Sequence, residues 1–125
     1  MRDGGAKFIL IENIDWKGLG VGHKKWIESE VTECKIITCL AVMHMPLLNS
    51  FSKHVMGEDS KTTAIEGQWV MRILVDNGVK IGYSGHLPYA SDYTTDGWET
   101  VLVGAISEDR NTQTPRFTQV VVYDD

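Results

Sequence analysis

The stretch QWVMRILVDNGVKIGYS, residues 68–84, decides the fold because it supports two incompatible structures. In the first, Asn77-Gly78 forms the two-residue turn of a β-hairpin, since this dipeptide tolerates the positive φ angles of a type I′ turn. In the second, residues 69–76 form a helix and Gly78 ends it as a C-cap. The β-prone runs on either side of the turn favour the hairpin, and we adopt it for the fold prediction.

Outward from this stretch, helical periodicity dominates the first half of the chain and strand signals dominate the second. Apolar residues at helical spacing predict helices over 23–34 and 47–56, while 35–43 stays open between strand and helix. Further strands are predicted over 7–14, 98–107 and 117–125. We expect the last two of these strands to pair as an antiparallel hairpin.

These elements predict one α+β domain that spans residues 1–125. An antiparallel sheet of about five strands is expected to pack against one or two helices from the N-terminal half. A chain of 125 residues buries roughly two thirds of the surface that its unfolded form exposes, so it needs neither a metal nor a disulfide to fold.

The segment ETVLVGAISEDRNTQTPRFTQVVVYD, residues 99–124, resembles the closing strands of NTF2-like proteins. In that family a strand ending in a glycine-containing run meets a strand that starts Phe-Thr-Gln. The resemblance covers less than a quarter of the chain and carries no catalytic residue onto it. It implies a cone-shaped sheet around a pocket, often in a dimer.

The composition excludes several classes of partner. Hydrophobic residues make up 42% of the chain and the net charge is −5, which is typical of a mildly acidic globular protein. This charge argues against general nucleic-acid binding and against binding to anionic membranes. The longest apolar run, IITCLAVMHM, is far shorter than the roughly 20 residues that span a bilayer, so we expect no membrane association.

The two cysteines, Cys34 and Cys39, fit neither a metal-binding nor a redox spacing. Because free cysteine is among the most buried residue types, we expect both thiols to be buried and reduced, and the protein to be cytoplasmic. The four histidines form no HxH, HxxxH or HExxH pattern. We therefore expect no metal site and no cofactor.

A glycine-rich connector follows the first predicted strand and precedes the first predicted helix. Glycines let backbone N–H groups approach an anion, and a helix N-terminus adds positive potential. Gly20, Gly22, Lys24 and Lys25 are accordingly candidate ligand-binding residues. The spacing does not match the dinucleotide-binding or P-loop patterns, so a flexible surface turn with solvated lysines is the alternative.

The segment SGHLPYASDYTTDGW, residues 84–98, is rich in aromatic residues and has no helical or strand period. Its proline and glycines predict a loop. Aromatic side chains give a large contact area at low entropic cost, and a loop on a rigid sheet is a common binding device. The alternative is a lid folded over the core. The expected ligand-binding residues of this region are Tyr83, His86, Tyr89, Asp92, Tyr93 and Trp98.

The leading functional hypothesis is a non-enzymatic binding protein, and we expect it to be a homo-oligomer that recognises a small molecule or a protein partner. A nucleotide-like ligand would suit the connector and the aromatic segment together. Stand-alone domains of this size without motifs are often accessory proteins of phages or mobile elements, and we expect this chain to be such an accessory protein.

Two other hypotheses stay open. A small pocket enzyme, a hydrolase or isomerase, would use His86 with Asp92 or Asp96 as acid and base. A structural or inhibitory protein would act through its sheet edge or its acidic surface.

Overall fold

The computed structural model describes residues 2–3, 5–14, 18–47, 53–107, 110 and 112–123. The secondary-structure elements in these ranges are, in chain order, β1 (Arg2–Asp3), β2 (Ala6–Ile11), α1 (Gly20–Glu30), β3 (Thr38–Met43), α2 (Lys61–Asp76), β4 (Ile81–Ser84), β5 (Ala90–Thr95) and β6 (Trp98–Val103).

The strands form one sheet in the order β1-β2-β3-β4-β6-β5. The central strands β2, β3, β4 and β6 run parallel, and β1 and β5 add antiparallel at the two edges. The α+β prediction is therefore confirmed, and the prediction of an antiparallel sheet is wrong. The helices explain the difference, because a helical crossover returns the chain so that the next strand runs parallel to the previous one.

The stretch that decides the fold is the end of a helix, so the hairpin prediction at Asn77-Gly78 is wrong. Gly78 has a φ of +92°. Its N–H bonds the carbonyl of Val75, and the N–H of Val79 bonds the carbonyl of Leu74. This pair of bonds is the Schellman C-cap, in which a glycine takes the left-handed conformation. α2 thus occupies the place of a predicted strand.

The hairpin lies instead at Asp96-Gly97, inside the segment predicted to be a loop. Asp96 and Gly97 have φ angles of +50° and +80°, and Thr95 pairs with Trp98 across the turn. Positive φ at both central residues is the signature of a type I′ turn. β5, residues 90–95, is therefore a strand within the aromatic segment.

Both helices lie on the same face of the sheet. The crossovers β2-α1-β3 and β3-α2-β4 step in the same direction across the sheet, and right-handed crossovers then place both helices on one side. Ile27 of α1 and Leu74 of α2 accordingly share one buried cluster with sheet residues that include Ile9, Ala41 and Trp98. On the opposite face, Leu10 is 55% exposed and Val42 is 36% exposed.

The other element predictions have mixed outcomes. A strand is confirmed at β2, and the open segment 35–43 contains the strand β3. The predicted helix 47–56 lies partly outside the described residues, and residues 53–56 are not helical. The predicted strand 117–125 is wrong over 117–123, which pairs with no described strand, and 124–125 lie outside the described residues.

The strand topology also corrects two expectations about the end of the chain. β6 pairs with β4 and β5 and not with a final strand, so the antiparallel hairpin between the last two predicted strands is wrong. The largely parallel sheet with both helices on one face is not the cone-shaped sheet that the NTF2-like resemblance implies.

The cysteines are buried, as predicted, but they are not reduced. Cys34 and Cys39 are 4% and 5% exposed and form a disulfide with a Cα–Cα distance of 5.4 Å. The bridge joins the turn after α1 to the second residue of β3. The expectation of free thiols failed because the turn over residues 31–36 reverses the chain and brings the two positions into bonding range.

Candidate functional site

The carboxyl ends of β2, β3 and β4 meet at one edge of the sheet, and open α/β sheets bind their ligands beyond this edge. Asn13 lies two residues after β2, His44 directly follows β3, and His86 lies two residues after β4. The parallel topology therefore brings together polar side chains that are far apart in the sequence.

Two histidine side chains form a hydrogen-bonded pair at this edge. Nε2 of His44 lies 3.0 Å from Nδ1 of His86, and the ring centroids are 4.9 Å apart at an interplanar angle of 67°. One imidazole must donate its N–H to the other, since two unprotonated nitrogens would repel each other at this distance.

His54 brings a third imidazole to the pair, with its ring centroid 6.3 Å from that of His86. The N–H of Met56 donates to the carbonyl of Pro46 at 2.8 Å, which ties the segment around His54 to the end of β3. The backbone N–H of His54 donates to Glu58, whose carboxylate lies 4.0 Å from Nδ1 of the same histidine.

Both His54 and His86 have left-handed backbones, with φ angles of +60° and +62°. This conformation costs roughly 1–2 kcal/mol for a non-glycine residue. Such residues persist where the surrounding structure over-determines them, and they cluster at binding and catalytic sites. Two strained histidines in one cluster are thus an independent reason to consider this edge functional.

Asn13 fixes the loop that carries His44. Its Nδ2 donates to the carbonyl of Met45 at 2.7 Å, and its Oδ1 accepts the N–H of Met45 at 2.9 Å. The amide therefore pairs with both backbone groups of the residue after His44, much as a neighbouring strand would. This holds the His44 ring on a rigid support next to β2.

A cavity of about 270 Å³ opens beside the three imidazoles. We call it the histidine crevice, and it is lined by Ile14, His44, Met45, His54, Glu58, Asp59 and His86. A second cavity of about 200 Å³ adjoins it and shares Ile14, Met45 and Asp59. Together the two reach the lower end of the range of roughly 300–1,000 Å³ typical of small-molecule sites.

The environment of His86 disfavours its charged form. Partial desolvation of the ring lowers the pKa of His86 below its ordinary value of 6.5, and charge on His44 and His54 lowers it further. At neutral pH the His86 ring is therefore uncharged. The exposed side chains of Glu58 and Asp59 add two carboxylates to the lining of the crevice.

The glycine connector is engaged by an internal anion. Gly20 and Gly22 lie within α1. The N–H of Leu19, just before the helix, donates to Oε2 of Glu66 at 2.9 Å. Oε1 of the same carboxylate pairs with Nζ of Lys24 at 2.6 Å. Glu66 thus occupies the position in which a bound phosphate was expected, and Lys25 remains exposed on α1.

The predicted aromatic residues do not gather at one site. Trp98 is 2% exposed in the core, where its indole N–H donates to Thr100. Tyr93 shares the helix-covered face, while Tyr83 and Asp92 lie in one row on the opposite face. Burial and the charge of Glu99 raise the pKa of the Tyr83 hydroxyl. Tyr89 precedes β5 and is half-buried.

Of the predicted ligand-binding residues, His86 lies in the histidine crevice. Asp92 is in β5 and Asp96 is in the hairpin turn, and neither lines the crevice. Sequence reasoning missed His44, because its partner is 42 positions away and only the parallel pairing of β3 with β4 joins them. A polar residue directly after each buried strand was the available signal.

A metal centre has no support in the part of the chain that the structure describes. Within those ranges, no group of three or more His, Cys, Asp or Glu side chains is arranged to hold a metal ion. The described helices likewise include none that is long and apolar enough to cross a membrane.

Comparison with known proteins supports the fold only. No family model matches the chain, and no curated protein matches it. A solved structure described as "GAP50 the anchor in the inner membrane complex of Plasmodium" is similar to it, with a TM-score of 0.58 and 19% sequence identity. The likeness covers 80% of this chain and 32% of that one, so this chain spans about a third of the length of that protein.

Proposed function

We propose that this chain is a non-enzymatic binding protein that takes a small molecule in the histidine crevice. The observation that carries the proposal is the 3.0 Å hydrogen bond between the rings of His44 and His86 beside a cavity of about 270 Å³. Its place at the carboxyl edge of parallel strands and the strained backbones of two histidines support it.

The histidine pair determines which ligand groups fit. A neutral imidazole has one N–H donor and one acceptor nitrogen. Once one ring donates to the other, the two remaining nitrogens are always one donor and one acceptor, whichever ring donates. The neutral pair thus matches a group that both accepts and donates, such as an amide or the edge of a heterocyclic base.

The charges around the pair narrow the ligand further. Glu58 and Asp59 line the crevice and would repel a polyanion, whereas Ile14 and Met45 offer apolar contact. We therefore propose a neutral or cationic head group with an apolar part. Of the expected nucleotide-like ligands, a nucleoside without phosphate groups remains within the proposal through its base, because Glu66 already occupies the anion position at α1.

We also propose that the protein forms a homo-oligomer, and we revise the cellular compartment that is expected for it. The cytoplasmic expectation depended on free thiols, and Cys34 and Cys39 are joined instead. Structural disulfides are rare in the cytosol and persist in oxidising compartments. We therefore propose an oxidising setting for the protein.

A thermal-shift screen of neutral and cationic amides and nucleosides at pH 7.5 tests the binding proposal. A compound that raises the melting temperature of the wild type should lose affinity about 2- to 10-fold in His86→Ala, since one hydrogen bond contributes roughly 0.5–1.5 kcal/mol. Lys25→Ala is the control, because Lys25 belongs to the connector and not to the crevice. Binding that Lys25→Ala removes and His86→Ala preserves would place the ligand at α1.

The second candidate is an enzyme in which His44 and His86 act together as acid and base, in place of His86 with Asp92 or Asp96. The lowered pKa of His86 favours it, because a neutral imidazole is a competent base near neutral pH. Hydrolysis of p-nitrophenyl acetate above the solvent rate, lost in both His44→Ala and His86→Ala, would support this candidate. Equal rates in the wild type and both variants would exclude it for ester substrates.

A further inference from the structure

Residues 117–123, FTQVVVY, have a strand-prone sequence but belong to no strand. β-Branched and aromatic residues dominate it, which is the composition of a strand. Within the described residues it joins no sheet. Phe117 is 80% exposed, Val121 is 56% exposed and Tyr123 is 79% exposed. We call these residues the free segment.

The outer edge of β5 has unpaired backbone groups. The side-chain amide of Gln113 donates to the carbonyl of Ala90 and accepts its N–H, at 3.2 Å and 2.7 Å. Ala90 therefore points its backbone groups away from β6. Because these directions alternate along a strand, the groups of Asp92 and Thr94 also point outward.

The hairpin turn independently indicates which backbone groups of β5 face outward. A two-residue turn is closed by a hydrogen-bonded pair, here Thr95 with Trp98. Alternation from Thr95 again leaves Thr94 and Asp92 facing outward. No described strand pairs with this edge.

Within one copy of the chain, the free segment and the outer edge of β5 do not pair with each other. The N–H of Arg116 donates to the carbonyl of Ala105, two residues beyond the end of β6. The free segment therefore starts past the end of β6, and no described strand pairing joins it to β5. The same molecule thus has a strand-prone segment with no sheet partner and a sheet edge with no partner strand.

We propose that the free segment of one copy adds as a strand to the outer edge of β5 in a second copy. Strand addition gains main-chain hydrogen bonds and covers apolar side chains that are exposed in the single chain. A second copy is the partner because it carries both the strand and the edge, so reciprocal exchange closes a two-fold dimer. The contact involves no residue of the histidine crevice and stands independently of the ligand proposal.

Two proline variants of the full chain test separately the copy that supplies the strand and the copy that supplies the edge. Val121→Pro lies in the free segment and should prevent it from acting as a strand. Thr94→Pro removes an outward N–H that no described group uses, and proline is tolerated at such edge positions. Sedimentation velocity should show the wild type at twice the 14.0 kDa of the chain and each variant at the monomer mass, with the helical part of the circular dichroism spectrum unchanged.

The decisive step mixes the two variants in equal amounts. Val121→Pro keeps an intact edge and Thr94→Pro keeps an intact free segment, so the mixture should recover a heterodimer through one exchanged strand. A monomeric wild type at 100 μM, or a dimer that persists in both variants, would overturn the proposal. The second outcome would indicate contact through another surface, such as the open sheet face around Leu10 and Val42.

Discussion

Replacing Glu66 tests how α1, the helix that borders the second cavity next to the histidine crevice, is held. Glu66 is 8% exposed on α2. Its carboxylate accepts the N–H of Leu19 at 2.9 Å and pairs with Lys24 at 2.6 Å. This anchors the start of α1 and the wall of the cavity formed by Gly18 and Leu19. The informative changes are Glu66→Gln, which keeps an acceptor oxygen but no charge, and Glu66→Ala, which removes both.

The expected losses differ between the two variants. Glu66→Ala leaves the N–H of Leu19 without its acceptor and Lys24 without its partner, so we expect a loss of about 3 kcal/mol, the upper range for a hydrogen bond to a charged group. Glu66→Gln should cost roughly 1 kcal/mol, because the amide oxygen still accepts from Leu19. In a domain of this size the larger loss lowers the melting temperature by roughly 10 °C.

The pH dependence of the free energy of unfolding tests whether the charge of Glu66 causes these losses. Burial raises the pKa of Glu66, but the hydrogen bond and charge of Lys24 and the N–H of Leu19 outweigh it and hold the pKa below 4.5. A carboxyl with a lowered folded pKa stabilises the protein above its unfolded value and loses that contribution as the pH falls through the folded pKa. The gap between wild type and Glu66→Gln should therefore be full at pH 7 and shrink below pH 4.5.

Urea unfolding followed by tryptophan fluorescence at pH 7, 5 and 3.5 measures these differences. Glu28→Gln, an exposed position on α1, is the matched control and should change stability by less than about 0.5 kcal/mol. Equal losses for Glu66→Gln and Glu66→Ala, or a gap that does not depend on pH, would refute the charge-based anchor.

Two further predictions concern the disulfide and the sheet. Replacing both Cys34 and Cys39 by Ala should lower the free energy of unfolding by about 2 kcal/mol, the loop-closure value for so short a loop. Titration of the unreduced, denatured wild type with a thiol reagent should detect no thiols. Detection of two thiols would contradict the disulfide. Gly82→Ala should cost roughly 1–3 kcal/mol, because a Cβ there would overlap the indole of Trp98. Gly22→Ala on open helix surface should instead stabilise by about 0.5–1 kcal/mol, and equal effects of the two glycine changes would contradict the packing.

The sequence carried the class of the fold but not its topology. The strands β2 and β6 were readable from the apolar residues that each contains, whereas the apolar run of β3 stayed open between strand and helix. The choice at Asn77-Gly78 depended on whether positive φ at one glycine belonged to a turn or to a helix cap, and both use the same residues. Asp96-Gly97 carries an equally strong hairpin signal, which the surrounding aromatic residues obscured.

The candidate site was harder to predict, because it depends on which strands are neighbours. His44 and His86 meet only when β3 and β4 run parallel, so an antiparallel prediction separates them. Asn13 acts through the backbone of Met45, a role that no motif marks. His86, a candidate from the sequence, lies in the histidine crevice, but Asp92 and Asp96, the partners assigned to it, do not line the crevice.

An NMR titration of the imidazole Cε1–Hε1 signals with the strongest compound of the thermal-shift screen tests the central claim, that the histidine crevice binds a small molecule. The signals are assigned with His44→Ala and His86→Ala. We expect the ligand to shift the signals of His44 and His86. Affinity should also fall as the pH drops through the lowered pKa of His86, since an added proton leaves the pair without the one donor and one acceptor that the ligand matches. Saturable binding that leaves both signals unmoved, or that strengthens at low pH, would contradict it.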